Sequence, residues 1–159
     1  MKKIIAILIL FFLSLSLSTA KDQSSIDIEA EINCLAANIH HEARGESLKG
    51  KLAVGLVTMN RTKHQDYPST VCGVVFQKAK KSCQFSWACK SSAKLLHKDI
   101  TKEIRELAEK IYFGEVKDIT KGATHFHSID VNPRWSAFKT RTLEVGRHIF
   151  YRKPKNDTT

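Results

Sequence analysis

The sequence predicts a mainly helical α+β domain with a small antiparallel sheet near its C-terminus. Through the first two thirds of the chain, apolar residues recur at spacings of three and four, as on the buried face of a helix. The last third changes period: residues 123–127 alternate, and residues 147–151 are rich in strand formers. At 159 residues the chain has the length of one domain, and no internal repeat or low-complexity linker indicates a second.

Residues 1–20 have the pattern of a signal peptide. Lys2 and Lys3 precede an apolar run over 4–17, and Ser18-Thr19-Ala20 offers the small residues that a signal peptidase reads. A transmembrane helix needs about twenty apolar residues, and this run is shorter and contains serines. We expect cleavage after Ala20 and export to the periplasm, cell wall or medium; a retained anchor is the alternative. Residues 21–30 form a polar lead-in, and 153–159 a polar tail.

An exported chain with an even number of cysteines is expected to form disulfides. The four cysteines allow three pairings. Cys83 and Cys89 close a short loop, which favours that pair and leaves Cys34 with Cys72. A zinc site is the other interpretation of the cysteines, but their spacing does not resemble one.

The chain is strongly basic. Its formal charge of +10 falls to about +8 when Lys2 and Lys3 are removed with the signal peptide. Nucleic acid often binds such a surface, but an exported protein rarely meets it, so anionic cell-envelope polymers are the expected partners. The alternative is a solvated cationic face with no particular ligand.

Residues 27–46 predict an amphipathic helix that places a carboxyl group on its buried face. Its apolar residues recur at spacings of four, three and four: Ile28, Ile32, Leu35 and Ile39. Glu42 continues this face, and Gly45 ends the helix. A buried carboxyl at the C-terminal end of a helix should have a raised pKa, as a general acid requires. The alternative is a partly solvated glutamate with only a structural role.

A second helix is predicted over residues 48–62. Its apolar face is formed by Leu48, Leu52, Leu56 and Met59. Gly55, in the middle, suggests that another backbone comes close. Thr58 and Asn60 need polar partners, either in a binding site or within the fold.

Two further helices and a loop complete the helical part. Residues 71–76 form a short third helix started by Pro68-Ser69-Thr70, and the fourth runs from Ser91 or Ser92 to about Phe113. Residues 78–81 are a basic, solvated run. In the loop between Cys83 and Cys89, side chains of Gln84, Phe85, Ser86 and Trp87 could stack on sugars and bond their hydroxyls, or could simply pack.

The last third predicts two strands, 123–127 and 147–151, joined by VNPRW and a short helix. His125 and His127 share one face of the first of these strands.

Seven sequence blocks in order resemble cell-wall hydrolases of the SleB/CwlJ type, the spore-cortex lytic enzymes. The blocks are EARGE (42–46), AVGLVTMNR (53–61), YPSTVCGVVFQ (67–77), QFSW (84–87), GATHFHS (122–128), Pro133 with Trp135, and GRHIFY (146–151). The resemblance covers nearly all of the chain from Leu35 to Tyr151, and it departs at Phe126, where the family often has tyrosine.

The resemblance implies a lysozyme-like fold, related to lytic transglycosylases, with residues 31–152 as the catalytic domain. It implies peptidoglycan as the substrate and Glu42, the first glutamate of EARGE, as the catalytic acid. Candidate substrate-binding residues are Asn60, Gln84, Phe85, Ser86, Trp87, His125, His127 and Trp135. We expect a monomer that needs no cofactor, binds no metal or nucleic acid, and does not stay inserted in a membrane.

Two reaction routes follow from a single acid at Glu42. Hydrolysis of the β-1,4 bond after N-acetylmuramic acid would use a second carboxylate, for which Glu46, Asp66 and Asp130 are candidates, Glu46 first. Lytic transglycosylation needs only one glutamate and yields a 1,6-anhydro sugar. The transglycosylase route is favoured because no other carboxylate has a spacing as distinctive as that of Glu42.

Two other classes of protein remain as alternatives. A zinc-dependent wall amidase or peptidase could bind its metal with His125, His127 and either His40 or His41. A non-catalytic wall-binding module would account for the basic charge and the aromatic residues, but it would need no acid on a buried helix face.

Overall fold

The computed structural model describes residues 27–79, 82–90 and 99–154. The predicted signal peptide, Lys80-Lys81, the predicted start of the fourth helix and residues 155–159 lie outside the described residues. In the three described ranges, α-helices predominate and a three-stranded antiparallel sheet lies near the C-terminus, as predicted. None of the helices in these ranges combines the length and the apolarity needed to cross a bilayer.

Helices α1 and α2 form the centre of the fold. Helix α1 comprises residues 27–43, and α2, Leu48–Thr62, begins after Ser47, whose hydroxyl accepts a hydrogen bond from the Gly50 amide. A Cβ atom at Gly55 would lie only 2.6 Å from Ile111 Cδ1 and 3.0 Å from Ile39 Cδ1. The predicted close approach at Gly55 is therefore made by side chains of two other helices.

The predicted apolar face of α2 is wrong at its first turn, where Leu48 is 69% exposed. The helix lies between two layers: Leu56 packs among the helices, while Ala53, Val54 and Val57 pack under the sheet. Small residues therefore form the sheet-facing side, and Leu48 projects beyond both layers.

Helix α3, Val71–Val75, is linked to α1 by hydrogen bonds to a carboxylate and by a disulfide bond. The Thr70 hydroxyl caps its first turn, and the Glu31 carboxylate accepts hydrogen bonds from the amides of Val71 and Cys72. The disulfide Cys34–Cys72 joins the same two helices. The second disulfide is Cys83–Cys89, so both expected pairings are confirmed.

Helix α4 is Lys102–Tyr112, so the fourth helix that was predicted as continuous is interrupted before Lys102. Residues 99–101 are not helical, and the Thr101 hydroxyl accepts a hydrogen bond from the Ile104 amide as the N-cap. Ile100 still packs partly against the helical core, which explains why its spacing matched the helix period.

The C-terminal sheet has the strand order β3-β5-β4, and all its pairs are antiparallel. Strands β3 (His125–Ser128) and β5 (His148–Arg152) match the two predicted strands, and the short helix between them is the 3₁₀ helix Arg134–Phe138. Strand β4 (Thr140–Val145) was not predicted, because a bulge between Arg141 and Leu143 breaks its alternation.

A two-stranded hairpin was also missed, at β1 (Lys78–Ala79) and β2 (Ser82–Cys83), where only a basic run was expected. It leads into a 3₁₀ helix, Ser86–Cys89, inside the disulfide loop. The hairpin thereby presents this loop to the end of α1.

A second apolar core joins the sheet to the helices. Phe150 is fully buried and packs with Ala43 of α1 and with the small residues of α2. The C-terminal turn of α1, which carries Glu42, therefore lies where the helical layer meets the sheet.

Candidate active site

Glu42 lies on the last turn of α1 and is partly buried. Leu35 and Ile39 precede it on the same face and are fully buried, so the helical pattern placed it correctly. Burial raises the pKa of the Glu42 carboxyl, as predicted, while the positive charge of Arg61 and the indole N–H of Trp87 oppose that rise. Burial thus favours the protonated carboxyl of Glu42, while Arg61 and Trp87 can stabilise the carboxylate when the proton is lost.

Arg61, on the last turn of α2, is a buried cation beside Glu42. It is 3% exposed, and its Nε donates a 2.8 Å hydrogen bond to the carbonyl oxygen of Thr124. Its guanidinium carbon lies 5.3 Å from the ring centroid of Tyr67 and 5.2 Å from that of Phe85, as in cation–π contacts. Burial lowers the arginine's pKa, and the charge of Glu42 raises it. Nη1 is buried without a hydrogen-bond partner.

Trp87 belongs to the 3₁₀ helix inside the Cys83–Cys89 loop, and its ring is buried. Its indole N–H is near enough to Glu42 to favour the carboxylate, although it does not complete a hydrogen bond with any described residue. His41 stacks on the indole, with ring centroids 4.5 Å apart and planes inclined by 25°. The loop therefore forms a wall of the Glu42 site.

Glu46, the first candidate for a second carboxylate, belongs to a different contact. Its side chain is 10% exposed, and its oxygens accept hydrogen bonds of 3.3 and 3.4 Å from the amide of Arg147, in the β4–β5 turn. His148 Nδ1 lies 3.7 Å away. Glu46 thus fastens the α1–α2 corner to the sheet.

The other two candidate carboxylates are also bonded elsewhere. Asp66 accepts from the ammonium of Lys153, and Asp130 accepts from the guanidinium of Arg147 and from the hydroxyl of Ser128. These hydrogen bonds lower the pKa of both aspartates, so each is a weak base whose carboxylate is already bonded to a cation. Burial raises the pKa of Glu42, whereas hydrogen bonds lower the pKa of Asp66 and of Asp130.

An aromatic platform covers the outer face of β3. It comprises His125, His127, Trp135 and Tyr151. The Trp135 ring lies 5.4 Å from that of His125 and 5.5 Å from that of His127, and His127 stacks on Tyr151. The platform is continuous with the Glu42 site, because the Tyr67 hydroxyl lies 3.5 Å from His125 Nε2 and its ring contacts Arg61.

The ring nitrogens of both histidines face protein groups. His127 Nδ1 donates to the carbonyl oxygen of Ser128 at 2.8 Å, so in the neutral ring Nε2 accepts from the Tyr151 hydroxyl at 3.0 Å. His125 Nδ1 lies 2.9 Å from the Thr124 hydroxyl. In the described ranges, His, Cys, Asp and Glu side chains do not form a group of three or more that could hold a metal ion.

The remaining predicted site residues divide into structural and exposed ones. The Asn60 amide nitrogen donates to Asp118, Thr120 and the Ala123 carbonyl, so it ties α2 to the segment before β3. Phe85 is buried in the helical core beneath Arg61 and is not free to stack on a sugar. Gln84 and Ser86 are exposed beside Trp87.

Sequence reasoning missed Arg61, Tyr67 and Tyr151, and it considered His41 only as a possible zinc ligand and not as the ring that stacks on Trp87. A signal for Arg61 was present, since Ala53, Val57 and Arg61 follow one another at four-residue intervals, which places a cation on the buried face of α2. Tyr67 lies in an irregular segment, where no periodicity indicates which way a side chain points.

A groove of about 740 Å³ lies away from this site, between the start of α1, the end of α2 and the start of α3. Its walls include Glu31, Met59 and Thr70, and none of the candidate site residues lines it. The chemistry-bearing side chains therefore do not coincide with that groove.

The sequence model of the cell wall hydrolase family matches residues 45–151. The match begins just after Glu42, so the family assignment rests on the chain that follows this residue. A spore cortex-lytic enzyme of Bacillus cereus is 25% identical over 123 residues, covering 76% of this chain and 43% of that enzyme. The spore cortex-lytic enzyme of Oceanobacillus iheyensis is 40% identical over 47 residues, 30% of this chain and 17% of that enzyme. The chain thus spans less than half the length of these curated relatives.

Two solved structures share the fold. The catalytic domain of the Bacillus cereus SleB protein matches with a TM-score of 0.63 and 22% identity, over 78% of this chain and 91% of that domain. The catalytic domain of the germination-specific lytic transglycosylase SleB from Bacillus anthracis matches with a TM-score of 0.64 and 24% identity, over 77% and 93%. At these identities, the likeness establishes the fold.

Proposed function

This chain is a member of the cell wall hydrolase family, and from that premise we propose that it cleaves the β-1,4 bond after N-acetylmuramic acid in peptidoglycan glycan strands. We propose the lytic transglycosylase route, with Glu42 as the only general acid and base. The observation that carries the proposal is the raised pKa of Glu42, whereas Glu46, Asp66 and Asp130 are each bonded elsewhere. The name of the Bacillus anthracis relative, a lytic transglycosylase, agrees with this route.

In the proposed reaction, the protonated Glu42 gives its proton to the glycosidic oxygen while the bond to C1 breaks. The sugar's acetamido group assists the developing positive charge. The Glu42 carboxylate then takes the proton from the C6 hydroxyl, whose oxygen bonds to C1 and closes the 1,6-anhydro ring. Arg61 and Trp87 support the carboxylate between these two transfers, so one group can act first as acid and then as base.

The substrate would lie across the Glu42 site and the aromatic platform. Sugar faces would stack on Trp135 and the histidines of β3, and Gln84 and Ser86 would bond hydroxyl groups from the disulfide loop. We propose that residues 1–20 direct export and that the domain acts as a monomer without a cofactor. Both disulfides fit an oxidising compartment.

Mass spectrometry of the products released from purified sacculi tests this proposal. We expect disaccharide-peptides with 1,6-anhydro ends. Reducing N-acetylmuramic acid ends would show hydrolysis instead, and free peptides with intact glycan would indicate an amidase or peptidase.

Treatment with a chelator separates the metal-dependent alternative. We expect activity to survive chelation, because both nitrogens of His125 and of His127 face protein groups. Loss of activity that zinc restores would make these histidines ligands and overturn the single-acid mechanism.

A further inference from the structure

Two lysines, Lys139 and Lys153, lie at one end of the C-terminal sheet, where Thr140 at the start of β4 pairs with Arg152 at the end of β5. Lys139 directly follows the 3₁₀ helix that carries Trp135, and Lys153 follows strand β5. Burial and, after it, the charges of Lys139, Arg61, Lys153 and His64 lower the pKa of His125 to about 4. His125 is therefore neutral at physiological pH, and the positive charge at this end belongs to the lysines around it.

Lys139 lacks a counter-ion of its own. Its side chain is half-buried, and among the described residues it forms no ion pair. Burial and the neighbouring Lys153 both lower the pKa of its ammonium, and only Asp66 opposes them. Asp66, however, is already bonded to Lys153. A half-buried cation beside a second cation is unfavourable unless an anion completes the group.

A carboxylate is the anion that the proposed substrate can bring. The sugar rings and acetamido groups of a glycan strand are neutral, and its carboxylates lie on the side arm of each N-acetylmuramic acid. Ammonium groups bind carboxylates through charge-assisted hydrogen bonds, and an adjacent aromatic ring can support the sugar that carries the side arm.

We propose that Lys139 and Lys153, at the end of the sheet next to the 3₁₀ helix that carries Trp135, form a subsite for a carboxylate on the side arm of N-acetylmuramic acid. The subsite would make the enzyme prefer strands whose side arms are charged over neutral strands with the same sugar backbone. This inference rests on the proposed function, since it assumes that a glycan strand occupies the platform.

The test compares three substrates with one backbone. The first is soluble strands that keep their stem peptides, the second is strands stripped by an amidase, which leaves the lactyl carboxylate free, and the third is strands whose carboxylates have been converted to neutral methylamides. The variant is Lys139→Gln, with Lys139→Arg to restore the charge. The control, Lys110→Gln, removes the same charge from an exposed position on α4.

For the charged strands, we expect Lys139→Gln to raise KM about tenfold with little change in kcat, since a charge-assisted hydrogen bond is lost. Lys139→Arg should recover most of this loss, and Lys110→Gln should match the unaltered enzyme. On methylamidated strands, the unaltered enzyme and Lys139→Gln should have the same KM. Discrimination on the peptide-bearing strands alone would identify a stem-peptide acid, and discrimination on the stripped strands alone would identify the lactyl carboxylate. Discrimination on both would show that the subsite accepts either carboxylate.

An equal loss for Lys139→Gln on charged and neutral strands would overturn the subsite, since the residue would then act only through the fold. That result is distinct from failure of the proposed function, in which the unaltered enzyme would cut none of the three substrates.

Discussion

Two opposing influences act on the side chain of Glu42, burial on one side and the donors Arg61 and Trp87 on the other. Glu42→Gln keeps the size of the side chain but cannot donate a proton to the leaving oxygen. General acid catalysis contributes about 10²–10⁴ in rate, so we expect turnover of sacculi to fall by at least about 10². Release of soluble muropeptides measures this loss, and retained activity would remove Glu42 from the mechanism.

The same substitution should not harm the fold. Because the folded protein raises the Glu42 pKa, it favours the neutral carboxyl more than the unfolded chain does, and ionisation above that pKa costs stability. A neutral amide avoids that cost, so the melting temperature at neutral pH should stay the same or rise. Glu46→Gln is the control: its amide oxygen can still accept from the Arg147 amide, and activity should fall far less. The reverse pattern would assign the acid to Glu46.

Arg61 should set the alkaline limit of the activity. Its charge lowers the pKa of Glu42, so its loss should raise that pKa. The protonated form of Glu42 would then persist to higher pH, and the falling limb of kcat/KM should move to higher pH in Arg61→Met. Arg61→Lys, which keeps the charge, should move the limb less. A limb that stays in place while activity falls would indicate a purely structural arginine.

The sequence predicted the burial of an individual side chain correctly where that side chain continues the pattern of a single helix. Glu42 follows three buried residues of α1 at regular spacing, so its burial and the direction of its pKa shift could be inferred. The contact between Arg61 and Tyr67 joins a helix to an irregular segment, and the partner of Glu46 lies 101 residues away. Contacts of that kind depend on tertiary packing, which a single sequence does not display.

The two disulfides should separate stability from activity. In the chain-entropy account, the bond that closes the longer loop stabilises more: about 4 kcal/mol for Cys34–Cys72 and about 2 kcal/mol for Cys83–Cys89. Their sequence separations are 38 and 6. Only the short loop, however, holds Trp87 beside Glu42.

We therefore expect the Cys34→Ala/Cys72→Ala pair to lower the melting temperature more and the Cys83→Ala/Cys89→Ala pair to lower activity more. Thermal unfolding and sacculus digestion, measured below both melting temperatures, give the two readouts. If the short-loop pair keeps full activity, the loop is not part of the site.

Helices and strands with a regular hydrophobic period could be predicted from the sequence, whereas elements whose period is interrupted could not. Helices α1 and α2 and strands β3 and β5 were predicted from their spacing, although Leu48 in the first turn of α2 is exposed, and α3 was predicted from the residues that start it. Strand β4 contains a bulge, and the continuous period before α4 hid a cap at Thr101, because Ile100 packs on the core from a loop. A partly buried loop residue such as Ile100 can therefore match the spacing of a helix without being helical.

The whole molecule carries a large positive charge that should govern its attachment to the wall. Without Lys2 and Lys3 the formal charge is about +8, and surface charges are screened within about 10 Å at 0.1 M salt. We expect less enzyme to cosediment with sacculi as the salt concentration rises. With methylamidated sacculi, whose carboxylates are neutral, cosedimentation should depend little on salt. Lys139→Gln should keep most of the salt dependence, because one of many charges is lost. Binding that does not respond to salt would show that charge does not attach the enzyme.

The corner between α1 and α2 also constrains how this sequence can change during evolution. Gly146 lies at φ +57°, and a Cβ atom there would lie 1.7 Å from Glu46 Oε2. No side chain fits at position 146 while Glu46 stays where it is, and without Glu46 the Arg147 amide loses its acceptor. Position 146 should therefore remain glycine among descendants of this chain even where residue 46 changes, because the positive φ disfavours a side chain whether or not Glu46 is present.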